Sequence, residues 1–159
     1  MSKEGNQSVA MSTGEHSSVL FGRHDNALDP KKRLTVPSEW RAAFGDTVYV
    51  MPDRKERCLN LYPPAEMDVF IEQLRQKALL DPALNKVFAK IGEVSQQLSF
   101  DVQGRVRICD KLLKFAGLTG KVAMVGSLRM IKLYDPSMLG PEDDVNIEEI
   151  DALLTAAGL

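Results

Sequence analysis

Apolar residues fall along this chain in short alternations and short helical stripes, and the same order of patterns occurs twice. Leu34 and Val36 are separated by one polar position, as are Val106 and Ile108, the period-two spacing of a strand with one buried face. Each alternation runs into a brief stripe of helical spacing: Trp40, Ala43 and Phe44 in one case, Leu112, Leu113 and Ala116 in the other. Ser38 after Pro37, and Asp110 after Cys109, stand where a side chain can cap a helix start, and Gly45 and Gly117 stand where a left-handed residue ends one. Two more strands are predicted after each stripe, over residues 47–51 and 57–62 and over residues 121–125 and 129–134.

The two series superpose at an offset of 72, which carries Asp29 onto Asp101, Arg33 onto Arg105, Trp40 onto Leu112 and Gly45 onto Gly117. A two-residue insertion intervenes, and the offset returns where Leu59-Asn60-Leu61-Tyr62 meets Ile131-Lys132-Leu133-Tyr134. The repeated unit spans residues 21–62 and 93–134. A unit of about 40 residues is too small to bury a core alone, so the two must pack together. Between them, Pro64 opens a helical pattern through Met67, Phe70, Ile71, Leu74 and Ala78, and Asp81-Pro82 opens a second through Leu84, Val87, Phe88 and Ile91. Residues 1–19 read as a disordered leader. Beyond Gly140-Pro141, residues Val145, Ile147, Ile150, Leu153 and Leu154 outline a weak amphipathic helix set apart from the repeats, a mobile or partner-bound tail.

Charge sharpens this division. The formal net charge is −2, yet residues 135–159 hold seven acidic residues and no basic one, so residues 1–134 carry +5. A locally basic body is compatible with a nucleic-acid partner, whereas a sequence-independent DNA coat would need a far larger basic excess. No apolar run approaches the ~18–20 residues of a membrane span, and the N-terminus has no signal-peptide core, which predicts a soluble cytoplasmic protein. Cys58 and Cys109 are too few and too scattered for a disulfide framework or a zinc site. His16 and His24 have no metal-ligand companions at useful spacing. No phosphate loop, nucleophile elbow or paired-carboxylate site is visible, so neither an enzyme, nor a cofactor, nor a small-molecule substrate is expected.

The candidate chemistry sits at the repeated Asp-x-x-x-Arg. Asp29-Pro30-Lys31-Lys32-Arg33 and Asp101-Val102-Gln103-Gly104-Arg105 are tight turns in which the carboxylate can accept from backbone amides two or more residues on. Such a turn braces itself, and it also holds Arg33 and Arg105, with Lys31, Lys32 and Arg107, at a loop tip where guanidinium groups can reach phosphates or a guanine edge. Arg54, Lys55 and Arg57 form a second basic turn, read as solvated surface, and Tyr62 and Tyr134 occupy matching strand ends as rim packing.

These doubled motifs, each followed by an apolar alternation and a helix ending in Ala-Phe-Gly or Phe-Ala-Gly-Leu, and then by strands ending in Leu-Tyr-Pro or Leu-Tyr-Asp-Pro, resemble the MraZ family over residues 20–136. The resemblance implies an α+β chain of two tandem repeats forming a pseudo-twofold swapped-hairpin β-barrel of the AbrB and MazE type, with short capping helices and two linking helices. The first AbrB-like repeat would be residues 20–62, the helical linker packed on the repeats 63–91, the second repeat 92–136 and the acidic tail 137–159. It further implies a nucleoid-associated transcriptional regulator of the division and cell-wall gene cluster, a homo-oligomeric ring that binds short direct repeats of double-stranded DNA in its own promoter region. Arg33 and Arg105 would contact DNA, Lys31, Lys32 and Arg107 would add phosphate contacts, and Asp29 and Asp101 would orient the arginines. Two departures stand out. Lys32 replaces the glycine common before the first Arg, which predicts a first loop of different shape or different DNA contact if that position needs positive φ, and Cys109 stands where a proline like Pro37 is usual. The rival reading is an antitoxin-like protein-interaction module that uses the acidic C-terminal tail.

Overall fold

A computed structural model describes residues 19–159. The leader expectation, apart from Val19, and His16 lie outside the described residues. Among the described residues, eight strands and five α-helices follow in the order β1 (Arg23–Ala27), β2 (Arg33–Thr35), α1 (Ser38–Arg41), β3 (Thr47–Pro52), β4 (Leu59–Tyr62), α2 (Pro64–Leu80), α3 (Asn85–Val94), β5 (Gln96–Ser99), β6 (Arg105–Arg107), α4 (Asp110–Ala116), β7 (Lys121–Gly126), β8 (Ile131–Tyr134) and α5 (Ile147–Ala156). The chain is α+β, and its strand pairs are all antiparallel.

Strand pairing crosses between the two copies of the sequence unit. The main sheet has the order β1-β7-β8-β4-β3-β5, which reads the same from either end once corresponding strands of the two copies are exchanged. β1 pairs with β7 and β5 with β3, while β4 and β8 meet at the centre with Leu59 opposite Leu133 and Leu61 opposite Ile131. Neither copy could satisfy its backbone hydrogen bonds alone. β2 and β6 leave this sheet and pair only with each other, Leu34 opposite Val106.

The ladders do not close into a barrel among the described residues: β1 and β5 are the two edges of an open sheet. The cause is local. The turns at Asp29 and Asp101 break the runs from β1 into β2 and from β5 into β6, so side chains rather than backbone pairs seal the gap. Leu34, Val36, Val106 and Ile108 point inward and share one buried cluster with Trp40, Phe44, Val48, Val50, Leu59, Leu61, Leu112, Val122, Met124, Ile131 and Leu133.

The helices follow the sequence pattern in place but not in capping. Gly117, at φ +69°, is the left-handed stop of α4 that the pattern required, whereas α1 ends earlier, at Arg41 with Ala42 still right-handed, and Gly45, at φ +66°, lies in the turn beyond it. Ser38 and Asp110, in contrast, are the first helical residues; Pro37 and Cys109 precede them, and neither helix has a side-chain cap. The freed Asp110 carboxylate instead accepts from Lys32 Nζ at 3.3 Å and Arg107 Nη2 at 3.2 Å.

α2 begins with Pro64 in its first turn, ends at Leu80, and is followed by a single 3₁₀ turn, Pro82–Leu84, before α3. Asp81 accepts from Ala83 N to start that turn. Between these helices and β3 lies an apolar cavity of about 290 Å³ lined by Met51, Met67, Phe70, Leu74, Phe88 and Ile91. α5 is capped by Asn146, whose Oδ1 accepts from Glu149 N at 3.0 Å, and every residue of the helix is exposed. No helix of the described residues is long and apolar enough to cross a membrane.

Candidate nucleic-acid interface

The two Asp-x-x-x-Arg turns are built alike, atom for atom. Asp29 Oδ1 accepts from Lys31 N at 2.9 Å and Arg33 N at 2.8 Å, and Oδ2 takes Arg33 Nε at 2.6 Å. Asp101 does the same with Gln103 N at 2.9 Å, Arg105 N at 2.9 Å and Arg105 Nε at 2.7 Å. Backbone bonds Lys32 N to Asp29 O and Gly104 N to Asp101 O close each turn. The amide of each Arg, joined by its guanidinium and the amide of Lys31 or Gln103, outweighs the opposing effect of burial and holds the Asp carboxyl below the usual carboxylate range. Nε is the atom that donates to each Asp, which leaves the terminal nitrogens of each guanidinium without a hydrogen bond to that carboxylate.

Lys32 does not reshape its loop. Its φ is +61°, against +79° at Gly104, so the lysine adopts the left-handed conformation that a Cβ makes costly by roughly 1–2 kcal/mol. The turn hydrogen bonds persist, and what changes is the side chain, which leans to Asp110 on α4.

The ribbon of β2 and β6 presents these groups on one face. Because Leu34 and Val106 point into the core, Arg33, Thr35, Arg105 and Arg107 point outward. Arg33 lies directly opposite Arg107, and Thr35 opposite Arg105. Like charges facing each other across a strand pair oppose folding. Asp29 beside Arg33 and Asp110 beside Arg107 partly neutralise this pair, and the Lys32 ammonium, then Arg107, holds Asp110 below its ordinary range. The Arg107 guanidinium also donates to Ile108 O. Lys31 and Lys32 flank the Arg33 end of the ribbon, both exposed.

The other basic turn has a different job. Asp53 accepts from Lys55 N and Glu56 N at 2.8 and 2.9 Å, and its Oδ2 receives Lys132 Nζ at 2.7 Å from β8. Glu56 lies 3.6 Å from the same ammonium and accepts from Tyr134 Oη at 2.9 Å. Tyr134 is therefore more than rim packing. Asp53, Glu56 and Cys58 sit close enough to share a cation. Lys132 already occupies that place, and burial pushes the Cys58 thiol up to about 11, which opposes its acting as a thiolate ligand. Spacing alone could not reveal this clamp, since its partners lie 79 and 78 residues apart. His24 meets Trp40 edge-on at 4.8 Å and lies 3.0 Å from Glu39, which makes it a packing residue of β1. Cys109 packs partly buried against the core.

A family model described as "MraZ protein, putative antitoxin-like" matches residues 19–87. The transcriptional regulator MraZ of Kineococcus radiotolerans is 32% identical over 120 residues, which cover 74% of this chain and 81% of that protein. The chain belongs to the MraZ family. The transcriptional regulators MraZ of Rhodospirillum rubrum, 29% identical over 127 residues (76% of this chain and 81% of that one), and of Clostridium tetani, 23% identical over 130 residues (82% and 91%), are also similar to it. The MraZ model takes in the first loop and its positive-φ lysine, while Asp101 and Arg105 lie beyond its match. One cation escaped the sequence pattern: Arg41 of α1 lies over Gly104 in the second loop.

Proposed function

We propose that this chain is a sequence-specific DNA-binding regulator of transcription, and that the outward face of the β2–β6 ribbon with its two flanking turns is the DNA-binding surface. The names of its MraZ relatives support regulation of transcription. The observation that carries the DNA-binding reading is the pairing of Arg33 with Arg107 on an outward face beside Lys31 and Lys32. Like charges held opposite one another are costly until an anion arrives, and a phosphate backbone supplies one. Arg33 and Arg105 contact bases or phosphates, Lys31, Lys32 and Arg107 contact phosphates, and Asp29 and Asp101 orient the arginines by holding Nε.

The crossed pairing of strands supports a pseudo-twofold swapped-hairpin architecture in which residues 20–62 and 92–136 are the two repeats, 63–91 the helical linker and 137–159 a separate tail. One ribbon gives weak affinity. A ring of subunits on short direct repeats upstream of the division and cell-wall genes raises it through effective concentration.

Fluorescence anisotropy on the fragment upstream of the chain's own reading frame, against a shuffled fragment, tests the assignment. Wild type binds the native fragment selectively, and a folded R33Q/R105Q variant loses that selectivity. Undiminished selective binding by the variant removes these residues from the site.

One observation favours a second role for the tail. Ile147, Ile150 and Leu153 of α5 are 50–65% exposed among acidic neighbours, a surface suited to a protein partner. Deleting residues 138–159 does not weaken DNA binding on the main reading and abolishes partner capture on this one.

A further inference from the structure

Gly104 and Arg41 are a matched pair. A Cβ built on Gly104 would collide with the Arg41 guanidinium, so only glycine lets that side chain lie across the second loop. Arg41 reaches it because β2 ends beside that loop: Val36 N donates to Gly104 O at 3.0 Å, and α1 starts two residues later. The guanidinium finds no acid there. Among the described residues no ion pair includes Arg41, and its Nε is buried without a hydrogen-bond partner.

The first loop solves the same problem the other way round. At the offset of 72, Gly104 corresponds to Lys32 and Arg41 to Leu113. Here the loop residue is the cation, held at positive φ, and the helix residue is a buried leucine; Lys32 and Leu113 line one depression together. Each end of the ribbon thus carries one cation in equivalent space, drawn from the loop at one end and from the helix of the opposite copy at the other. The charges of the second motif itself, Asp101 and Arg105, cancel. Arg41 is the cation that leaves this end positive.

We propose that Arg41 is a DNA-backbone contact that completes the second loop's site, the spatial counterpart of Lys32. This rests on the DNA-binding reading above and adds a residue that aligning the two repeats does not disclose. It accounts for three features together: the glycine at 104, the strained lysine at 32, and a guanidinium without an acid in a chain where Asp29, Asp101, Asp110 and Asp53 each hold a cation.

The test is DNA affinity against salt concentration for wild type, R41Q, R41K and G104A, each checked for a cooperative thermal transition. On the proposal, R41Q weakens native and shuffled fragments by the same factor, on the order of 3–10-fold near 0.15 M salt, and lowers the slope of log affinity against log salt by roughly 0.9 for each phosphate no longer neutralised. R41K keeps the slope because it keeps the charge. G104A, which pushes Arg41 off the loop, behaves as R41Q. An unchanged salt slope in folded R41Q overturns the proposal and leaves the DNA-binding reading standing. If R41Q does not fold, G104A decides in the same way. Wild type that fails to bind either fragment overturns both.

Discussion

Replacing Lys132 by Met should cost this protein about 2–3 kcal/mol at neutral pH, and the cost should shrink in acid and in strong base. Lys132 on β8 reaches back to Asp53 at 2.7 Å and Glu56 at 3.6 Å on the β3–β4 connection, and to Oδ1 of Asn60 on β4 at 3.2 Å. It thereby ties residues 72–79 positions apart across the central β4–β8 seam. The side chains of Lys132 and Asp53 are only 19% and 14% exposed. Removing one member of a buried pair typically costs ~3–5 kcal/mol because the other charge is left uncompensated. Residual water access lowers that figure, and so do the Lys55 N, Glu56 N and Asn60 Nδ2 donors that still serve Asp53.

The pH dependence follows from the two shifts. Partial burial would raise the Asp53 pKa, but the Lys132 ammonium and the turn amides outweigh it and hold the folded value below the ordinary 3.8. A depressed carboxyl contributes stability that is present above its unfolded value and lost as pH falls through the folded one. Lys132→Met removes the largest of the contacts that lower the Asp53 pKa while the turn amides and Asn60 remain, so the gap to wild type narrows below about pH 4. Burial would lower the Lys132 pKa, but Asp53 outweighs it and raises the folded value above 10.5. That contribution is present below the unfolded value and lost as pH rises through the folded one, so the gap narrows again at the alkaline end. Urea unfolding followed by the single tryptophan, Trp40, which is buried, measures it at fixed protein concentration. A gap under about 1 kcal/mol at pH 7, or one that is flat between pH 3 and 7, would refute the clamp.

Lys32→Gly relieves left-handed strain of roughly 1–2 kcal/mol while adding backbone entropy worth about half of that, so its urea midpoint rises slightly as DNA affinity falls; a lower midpoint contradicts the strain. Removing residues 138–159, which hold six acidic residues and no basic one, strengthens DNA binding at low salt and leaves it unchanged at ~0.5 M, where screening is strong; equal affinities throughout show that the tail does not compete with phosphate. Asp29→Asn with Asp101→Asn flattens the acid limb of the stability curve, because both native carboxyls titrate below their usual range and withdraw stability only as pH falls through those depressed values; an acid limb identical to wild type, measured by thermal melting from pH 2 to 6, excludes the contribution.

What could be read without coordinates was local. The alternations at Leu34 and Val36 and at Val106 and Ile108 became the two buried faces of one ribbon, and the linking helices began at Pro64 and, after a 3₁₀ turn, at Asn85. The Asp-x-x-x-Arg turn closed as its carboxylate chemistry required, because every partner lies within four residues. Long-range competition decided the remainder. Asp110 was within reach of a local cap and went instead to Lys32, 78 residues away, and to Arg107. Lys32 kept the glycine-like turn because closing the loop on Asp29 outweighs the strain of one residue. The resemblance implies a β-barrel, yet the same turns that carry the arginines interrupt its strands and leave the sheet open. The Lys132 clamp and the Arg41–Gly104 contact join positions with no shared periodicity, and only the crossed strand pairing brings them together.

The location of DNA on the fold is tested most directly by amide hydrogen exchange of the full chain, free and bound to the upstream fragment. Protection should concentrate at residues 29–36 and 101–108 and at α1, leaving the outer faces of α2 and α3 unchanged. Protection of α2, α3 or α5 with none at the two turns would contradict the assignment of the β2–β6 ribbon as the DNA-binding surface.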